Sequence, residues 1–278
     1  MHNIRLIETR NVPDLTMGVT LKLPTLTNVA FRSLFLEASW NHGGQQNLGL
    51  AAAIDPALRK IYGESGEDLK KARERALEFF NTNPISSGVV IGVIIKLEQD
   101  VAAGRLNPTD RLRMAGSLSQ TLASMGDSLF WQAWLPLCCL VAVWAVLSTH
   151  YWWTPLLLPL LFCLPAVPAR FIGLYFGYRR GIDVIDLLFR LKIQRLAQNI
   201  RKGVALLVGA STVILVSTQT ALAEDLSLLP LWLTMAGVAA TVMAFRLLSL
   251  KIKQLGYWYP VIIVALACSV MIILDRWL

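Results

Sequence analysis

Seven polar side chains stand at the ends or breaks of apolar stretches in the first half of the chain: Asn41, Gln46, Asn47, Asn81, Asn83, Glu98 and Asp127. Carboxamides and carboxylates offer paired donors or acceptors, which is what the adjacent hydroxyls of a sugar require. A tryptophan such as Trp40 or Trp131 could cover the apolar face of a pyranose ring. Taken singly, each polar residue could instead cap a helix or bond to another of the set. Asp127 poses the question most sharply. It lies in Gly126-Asp127-Ser128-Leu129-Phe130-Trp131, where a long apolar run begins. An unpaired carboxylate at that depth is costly and must find donors or water. Two readings stay open, and both can hold together: an N-cap for a helix starting at Ser128, or a polar element on a solute pathway.

Other chemistries lack their residues. The three histidines (His2, His42, His150) are scattered, and Cys138, Cys139, Cys163 and Cys268 all lie in apolar runs without a CxxC. They read as small packing residues, so neither a zinc site nor a disulfide framework is expected, and no cofactor is. Gly43-Gly44 suits a turn and Gly173-x3-Gly177 suits helix packing; neither follows a strand, which argues against a phosphate loop. The net charge of +8 does not point to nucleic acid, because the basic residues gather beside apolar spans. With 55% hydrophobic residues and a mean hydropathy of +0.54, the composition is that of an integral membrane protein.

The elements that must position these groups follow from pattern. Residues 1–27, with Pro13, Gly18 and Pro24, read as an N-terminal arm without a cleavable signal. Val29, Phe31, Leu34, Phe35 and Ala38 then recur at helical spacing from Asn28, and Ser39 to Gly44 closes that run. Gln45-Gln46-Asn47 opens an apolar stretch to Ile54. Asp55-Pro56 reads as an N-cap with proline at the first helical position, and Gly63 as a stop. Ser65 to Phe80 is expected as an amphipathic helix, with Ser65 and Asp68 as a capping box. Asn81-Thr82-Asn83-Pro84 breaks it.

Residues 85–97 are apolar but too few to cross a hydrocarbon layer, which takes about 20 residues. Ser86, Ser87, Gly88 and Gly92 would allow close helix approach. A buried helix and a re-entrant hairpin are both compatible with this run. Residues 108–125 form another helix, with Leu112, Ala115, Leu118 and Leu122 on one face. Five spans come next, at 129–149, 153–177, 203–223, 228–248 and 258–274. His150-Tyr151-Trp152 joins the first two, and Pro155, Pro159, Pro165 and Pro168 imply kinks that neighbours must satisfy. Residues 178–202 carry seven lysines and arginines against Asp183 and Asp186. Residues 249–256 add Lys251 and Lys253. This places residues 1–127 in the cytoplasm and the C-terminus outside, although Arg276 opposes it.

Several blocks together resemble the IID subunit of mannose-family phosphotransferase (PTS) permeases. They are Arg32-Ser33-Leu34-Phe35-Leu36-Glu37-Ala38-Ser39-Trp40-Asn41, Gln46-Asn47-Leu48-Gly49 and Leu77-Glu78-Phe79-Phe80-Asn81-Thr82-Asn83-Pro84. The Gly126 to Trp131 block and Gly177-Tyr178-Arg179-Arg180-Gly181-Ile182-Asp183 complete the set, in family order over about residues 30–185. The resemblance implies a subunit of the bacterial inner membrane. It would pair with a IIC subunit, in an oligomer such as a trimer of heterodimers, and move a mannose-type hexose inward. A cytoplasmic IIB subunit, served by IIA, would phosphorylate the sugar, and this chain would form no covalent intermediate. The chain departs from the family at Gln120 to Met125 before Gly-Asp, at His42-Gly43-Gly44, and at Gln99. A diverged, non-transporting scaffold for PTS proteins is the alternative.

The expectation is therefore an all-helical integral membrane protein. An arm at 1–27 precedes a cytoplasmic-facing or re-entrant helical region at 28–127 and about five transmembrane helices at 128–278. Asp127, Gln46, Asn41, Asn81 and Glu98 are the expected sugar-facing residues.

Overall fold

A computed structural model of the chain describes residues 20–149 and 151–222, with side-chain surroundings for all but 212–222. Two units divide at Val208/Gly209, and in the second the described residues are helical to Leu222. The first unit holds α1 (Leu23–Ser33), α2 (Asn47–Tyr62), α3 (Glu67–Ala76), α4 (Ser87–Ala102), α5 (Pro108–Gly126), α6 (Leu135–Thr149), α7 (Leu157–Arg180) and α8 (Val184–Arg190). Helix α9 (Ile193–Leu222) begins in it. A π-helical segment, Asp127–Trp134, joins α5 to α6 without a break. No strand occurs among the described residues; two isolated bridges tie Gln45 to Asn41 and to Phe80.

Several local expectations are corrected. Helix α1 begins at Leu23, inside the stretch read as an arm, because Pro24 sits in its first turn, where its missing N–H is harmless. It ends at Ser33, and residues 34–39 are turns. Asp55 caps nothing: α2 runs through Pro56 to Tyr62, and Gly63, at φ +92°, is the stop. Proline there strips a donor from the carbonyl four residues back. That carbonyl, Ala52 O, accepts instead from Arg32 Nη1 of α1 at 3.2 Å. Helix α3 starts at Glu67 with Gly66 at the N-cap position and no side-chain cap, so the Ser65/Asp68 box is not formed. Asp127 has helical torsions (φ −62°, ψ −43°) inside a continuous helix, so it is no N-cap.

Two stretches among the described residues, Pro108–Thr149 and Thr154–Arg190, are long and apolar enough to cross a membrane. The first contains the expected span at 129–149, and the second all but the first residue of that at 153–177. The span expected at 203–223 begins on α9 and runs past the described residues, and those at 228–248 and 258–274 lie outside them, as does His150. Pro165 leaves Leu161 O unpaired within α7, and the Trp134 indole donates to it at 3.2 Å. Trp131 stacks on Phe162 beside it, with ring centroids 5.5 Å apart.

Helix α4 is buried along nearly its whole length and lies parallel to α7. The register follows from the glycines. A Cβ on Gly88 would strike Arg170 O, one on Gly92 would strike Leu174 O, and one on Gly177 would strike Val89 O. The backbones therefore touch, the close approach that small residues permit. Arg170, itself buried, donates to both the hydroxyl and the carbonyl of Ser33 and so caps the end of α1.

Four helices converge on Glu98, which is wholly buried. Its carboxylate accepts from Arg75 Nη2 at 2.6 Å and from the Tyr62 hydroxyl at 2.8 Å. Arg111 Nε lies 2.8 Å from the other oxygen as a close ion pair, though no hydrogen bond is aligned there. Burial and the Glu98 charge push the Tyr62 hydroxyl up, far above the usual phenol range.

Gly92→Val should destabilise the folded chain by about 1–3 kcal/mol through overpacking. Gly116→Val, at a position with open space around it, should cost far less; thermal unfolding in detergent separates the two. Glu98→Gln leaves the buried Arg111 and the half-buried Arg75 short of their counter-charge and should cost about 3–5 kcal/mol in the same assay. Asp55 gives a pH signature, because it accepts from Arg59 and Arg73 at 2.7 and 2.8 Å. Burial works against its ionisation, but the two arginines outweigh this and hold its carboxyl below the usual range. A lowered folded-state pKa gives stability that is complete above the unfolded value, near 3.9, and lost as pH falls through the folded value. The melting-temperature gap between the wild type and Asp55→Asn should therefore narrow from about pH 5 towards pH 3; a constant gap would exclude the ion pairs as its source.

Candidate functional site

The break Asn81-Thr82-Asn83 is the spine of the candidate site. Breaks expose backbone groups that need partners, and here the partners are polar residues already prominent in the sequence. Gln46, at the start of α2, closes a two-way pair with Thr82: its Nε2 donates to Thr82 O at 2.9 Å and its Oε1 accepts from Thr82 N at 3.0 Å. Thr82 Oγ1 donates to Ser119 O of α5 at 3.1 Å. Asn83 accepts at Oδ1 from the N–H groups of Ile85 and Ser86, at 2.9 and 3.2 Å, which starts the turn into α4. Those bonds fix its amide orientation, and its Nδ2 donates to Asp127 Oδ1 at 2.8 Å.

Gly126 explains why this last bond can form. A Cβ there would overlap the Asn83 side chain, so only glycine lets the 81–84 break reach the helix beside Asp127. Asp127 is half-buried, and its Oδ2 has no partner among the described residues. The next turn is held from α9, where Arg201 Nη1 donates to the Ser128 carbonyl at 3.3 Å and hydroxyl at 2.9 Å, and to Gln132 Oε1 at 3.2 Å. Segments of π-helix are uncommon and concentrate at functional sites.

Asn41 organises the turn before α2. Its Oδ1 accepts from Gly44 N at 2.7 Å and its Nδ2 donates to Asn47 Oδ1 at 3.0 Å. Asn47 in turn donates to Leu77 O, while Gln46 N and Phe80 N bond across to Phe80 O and Gly44 O. The turn is thereby sewn to the chain leading into Asn81. Asn81 is exposed, and its side chain has no partner among the described residues. Trp40, 47% exposed, sets its ring edge-on to His42 in the same turn.

Four of the five expected residues thus gather along one break: Asn41 and Gln46 on one side, Asn81 on it, and Asp127 on the other. Glu98 does not join them. It is sealed in the ion cluster of α2 to α5, where Arg75, Tyr62 and Arg111 occupy its oxygens. A carboxylate filled in this way offers a sugar nothing, because its acceptor positions are already taken. Gln46, 2% exposed, is likewise spent on Thr82 and on Glu37 Oε1, 3.2 Å away.

Sequence reasoning left two members of the site outside the five expected residues, although Asn83 stood among the seven polar side chains first noted. Asn83, not Asn81, holds Asp127, and the signal present was the glycine next to the aspartate. Arg201 reads in sequence as one more solvated charge of a basic loop, and nothing local marks it as the clamp on Ser128. Among the described residues, no group of His, Cys, Asp and Glu could hold a metal ion.

Comparison with known proteins gives the chain its family. Residues 20–274 match the family model for the PTS system mannose/fructose/sorbose family IID component. The PTS system mannose-specific EIID component of Escherichia coli (strain K12) is 33% identical over 176 residues, 62% of this chain and 62% of that protein. The fructose permease IID component of Bacillus subtilis (strain 168) is 29% identical over 170 residues, 60% of each. The chain thus aligns to about three fifths of the length of these relatives. Among solved structures, a chain of the mannose transporter ManYZ in complex with microcin E492 superposes with a TM-score of 0.56 at 30% identity, covering 69% of this chain and 70% of that one. A second membrane protein gives a TM-score of 0.63 at 28% identity, with the same coverage. The match across residues 20–274 takes in every element of the site, and the chain belongs to the mannose/fructose/sorbose family of PTS IID components.

Proposed function

We propose that this chain is the IID membrane subunit of a PTS sugar permease, forming with a IIC subunit the path by which a mannose-type hexose enters while IIB phosphorylates it. The observation that carries the reading is the open oxygen of Asp127. A half-buried carboxylate keeps one acceptor on Asn83 and turns the other to no protein donor among the described residues. An unspent acceptor at a break between apolar helices suits a hydroxyl-rich solute. The exposed Asn81 amide and the Asn41 turn, with Trp40 beside it, lie along the same break. In this reading Asp127, Asn81 and Asn41 face the sugar. Gln46 and Glu98 act indirectly, by fixing the 81–84 break and the helices that flank it.

The relatives' own names, all of them sugar-permease components, favour transport over a non-transporting scaffold. A IIC subunit would supply the other half of the hexose site, meeting the exposed side of the break. The ManYZ pairing of a structural neighbour supports this. Helix α4, too short to cross and packed in protein against the second half of α7, suits a re-entrant position in the bilayer. A cytoplasmic N-terminus with an outward C-terminus, and an oligomer of IIC–IID pairs, complete the proposal.

Reconstituting the chain with its IIC and IIB partners should give hexose uptake with phosphorylation; no sugar binding by the pair would rule the reading out. Asp127→Asn keeps an acceptor for Asn83 but removes the charge, so the fold should stand. Uptake should fall by tenfold or more, roughly the 1.5–3 kcal/mol of a charged hydrogen bond, with the membrane-inserted amount unchanged. Equal loss of uptake and insertion would make Asp127 a structural residue.

A further inference from the structure

Next to the sugar site, an apolar groove of about 540 Å³ opens between α4, α5, α7 and α8. Val89, Leu122, Phe130, Ile172, Phe176 and Leu187 represent its walls, one or two from each element. Only Ser86 and Arg180 add polar side chains. The Ser86 hydroxyl is held at Asn83 O and Leu122 O, 3.2 and 2.9 Å away, and offers no donor to the groove. Apart from Arg180 at the mouth, these walls offer no free donor to sugar hydroxyls, so the groove does not read as an extension of the proposed hexose site.

Arg180 is different. It is the last residue of α7, exposed, and its guanidinium has no hydrogen-bond or ion-pair partner among the described residues. Its neighbour Arg179 is engaged over the Tyr175 ring, 5.7 Å from its centre. Leu191, another groove residue, lies between Arg190 and Lys192 in a stretch that also carries Asp183 and Asp186; Arg180 is the cation that lines the groove itself, while the walls are apolar. The walls belong largely to two stretches of membrane-crossing length. Hydrocarbon walls with a free cation at the mouth match one class of ligand closely. Basic pockets between membrane helices hold anionic lipid headgroups, while acyl chains cover the apolar part.

We propose that this groove binds an anionic phospholipid, with an acyl chain along the α4–α7–α8 walls and the headgroup phosphate on Arg180. The site depends on α5–α6 and α7 crossing the bilayer, and not on which residues hold the sugar. Phosphate contact by arginine would give the Arg180 guanidinium the partner it lacks among the described residues.

The test is native mass spectrometry on the full chain purified with its IIC subunit, titrated with phosphatidylglycerol, with phosphatidylethanolamine, and with glycerol 3-phosphate as a chain-free headgroup. Phosphatidylglycerol should be retained roughly fivefold more strongly than phosphatidylethanolamine, the effect of one basic residue at an anionic surface. Arg180→Gln should erase that preference and Arg180→Lys keep most of it. Ala169→Trp, which fills the groove, should lower retention of both lipids; Ile172→Trp on the same wall serves if the first variant does not fold. Equal retention of the two lipids by the wild type, or an unchanged preference in Arg180→Gln, overturns the proposal. So does glycerol 3-phosphate binding as well as the whole lipid. Loss of the IIC subunit from Ala169→Trp would make the groove a subunit interface and overturn it too.

Discussion

Backbone contact between α4 and α7 is the constraint on which the rest of the arrangement depends. Gly88 and Gly92 on one helix, with Gly173 and Gly177 on the other, bring main chains together where any Cβ would collide. Among apolar surroundings there is little hydrophobic gain in pairing two greasy helices, and close van der Waals contact must substitute for it. The seam sets the register of α4 against α7, and through it the place of everything attached to α4. The 81–84 break leads directly into α4, and Glu98 near its other end gathers α2, α3 and α5. Arg170 ties α1 to the same stretch of α7.

A second regularity concerns how breaks are repaired. A proline inside a helix frees the carbonyl four residues earlier, and an unpaired buried carbonyl costs about as much as a lost hydrogen bond. For Pro56 the donor comes from Arg32, and for Pro165 from Trp134. The 81–84 break is closed by Gln46 and Asn83 in the same way. Beside these repaired breaks, one oxygen of Asp127 and the side-chain amide of Asn81 have no partner among the described residues. These two groups are the ones the proposed reading assigns to the sugar.

Much of this was legible in the sequence, for physical reasons that differ by element. Small residues at Gly88, Gly92, Gly173 and Gly177 announce close packing, since few other roles suit glycine inside an apolar helix. Helical periodicity placed α5, and hydropathy placed the long helices around α6 and α7. Caps were read less well. Asp55-Pro56 has the local form of a helix start, yet α2 runs through it because Arg32, distant in sequence, supplies the missing donor. Asp127 also has the local form of an N-cap, yet its torsions are helical, and its partner Asn83 lies 44 residues away in the chain. Glu98 could not be told from a ligand residue in sequence, because its partners, two arginines and a tyrosine, come from three other helices. Local pattern records propensity, whereas the partner of a buried charge is settled by tertiary packing.

The central claim is that Asp127 presents its open oxygen to a hexose held between this chain and a IIC subunit. A cryo-EM structure of the assembled pair with hexose bound tests it most directly. The account predicts a sugar hydroxyl within hydrogen-bond distance of Asp127 Oδ2, with the Asn83 bond to Oδ1 intact. Sugar density elsewhere, with Asp127 covered by a protein donor from the partner, would contradict it.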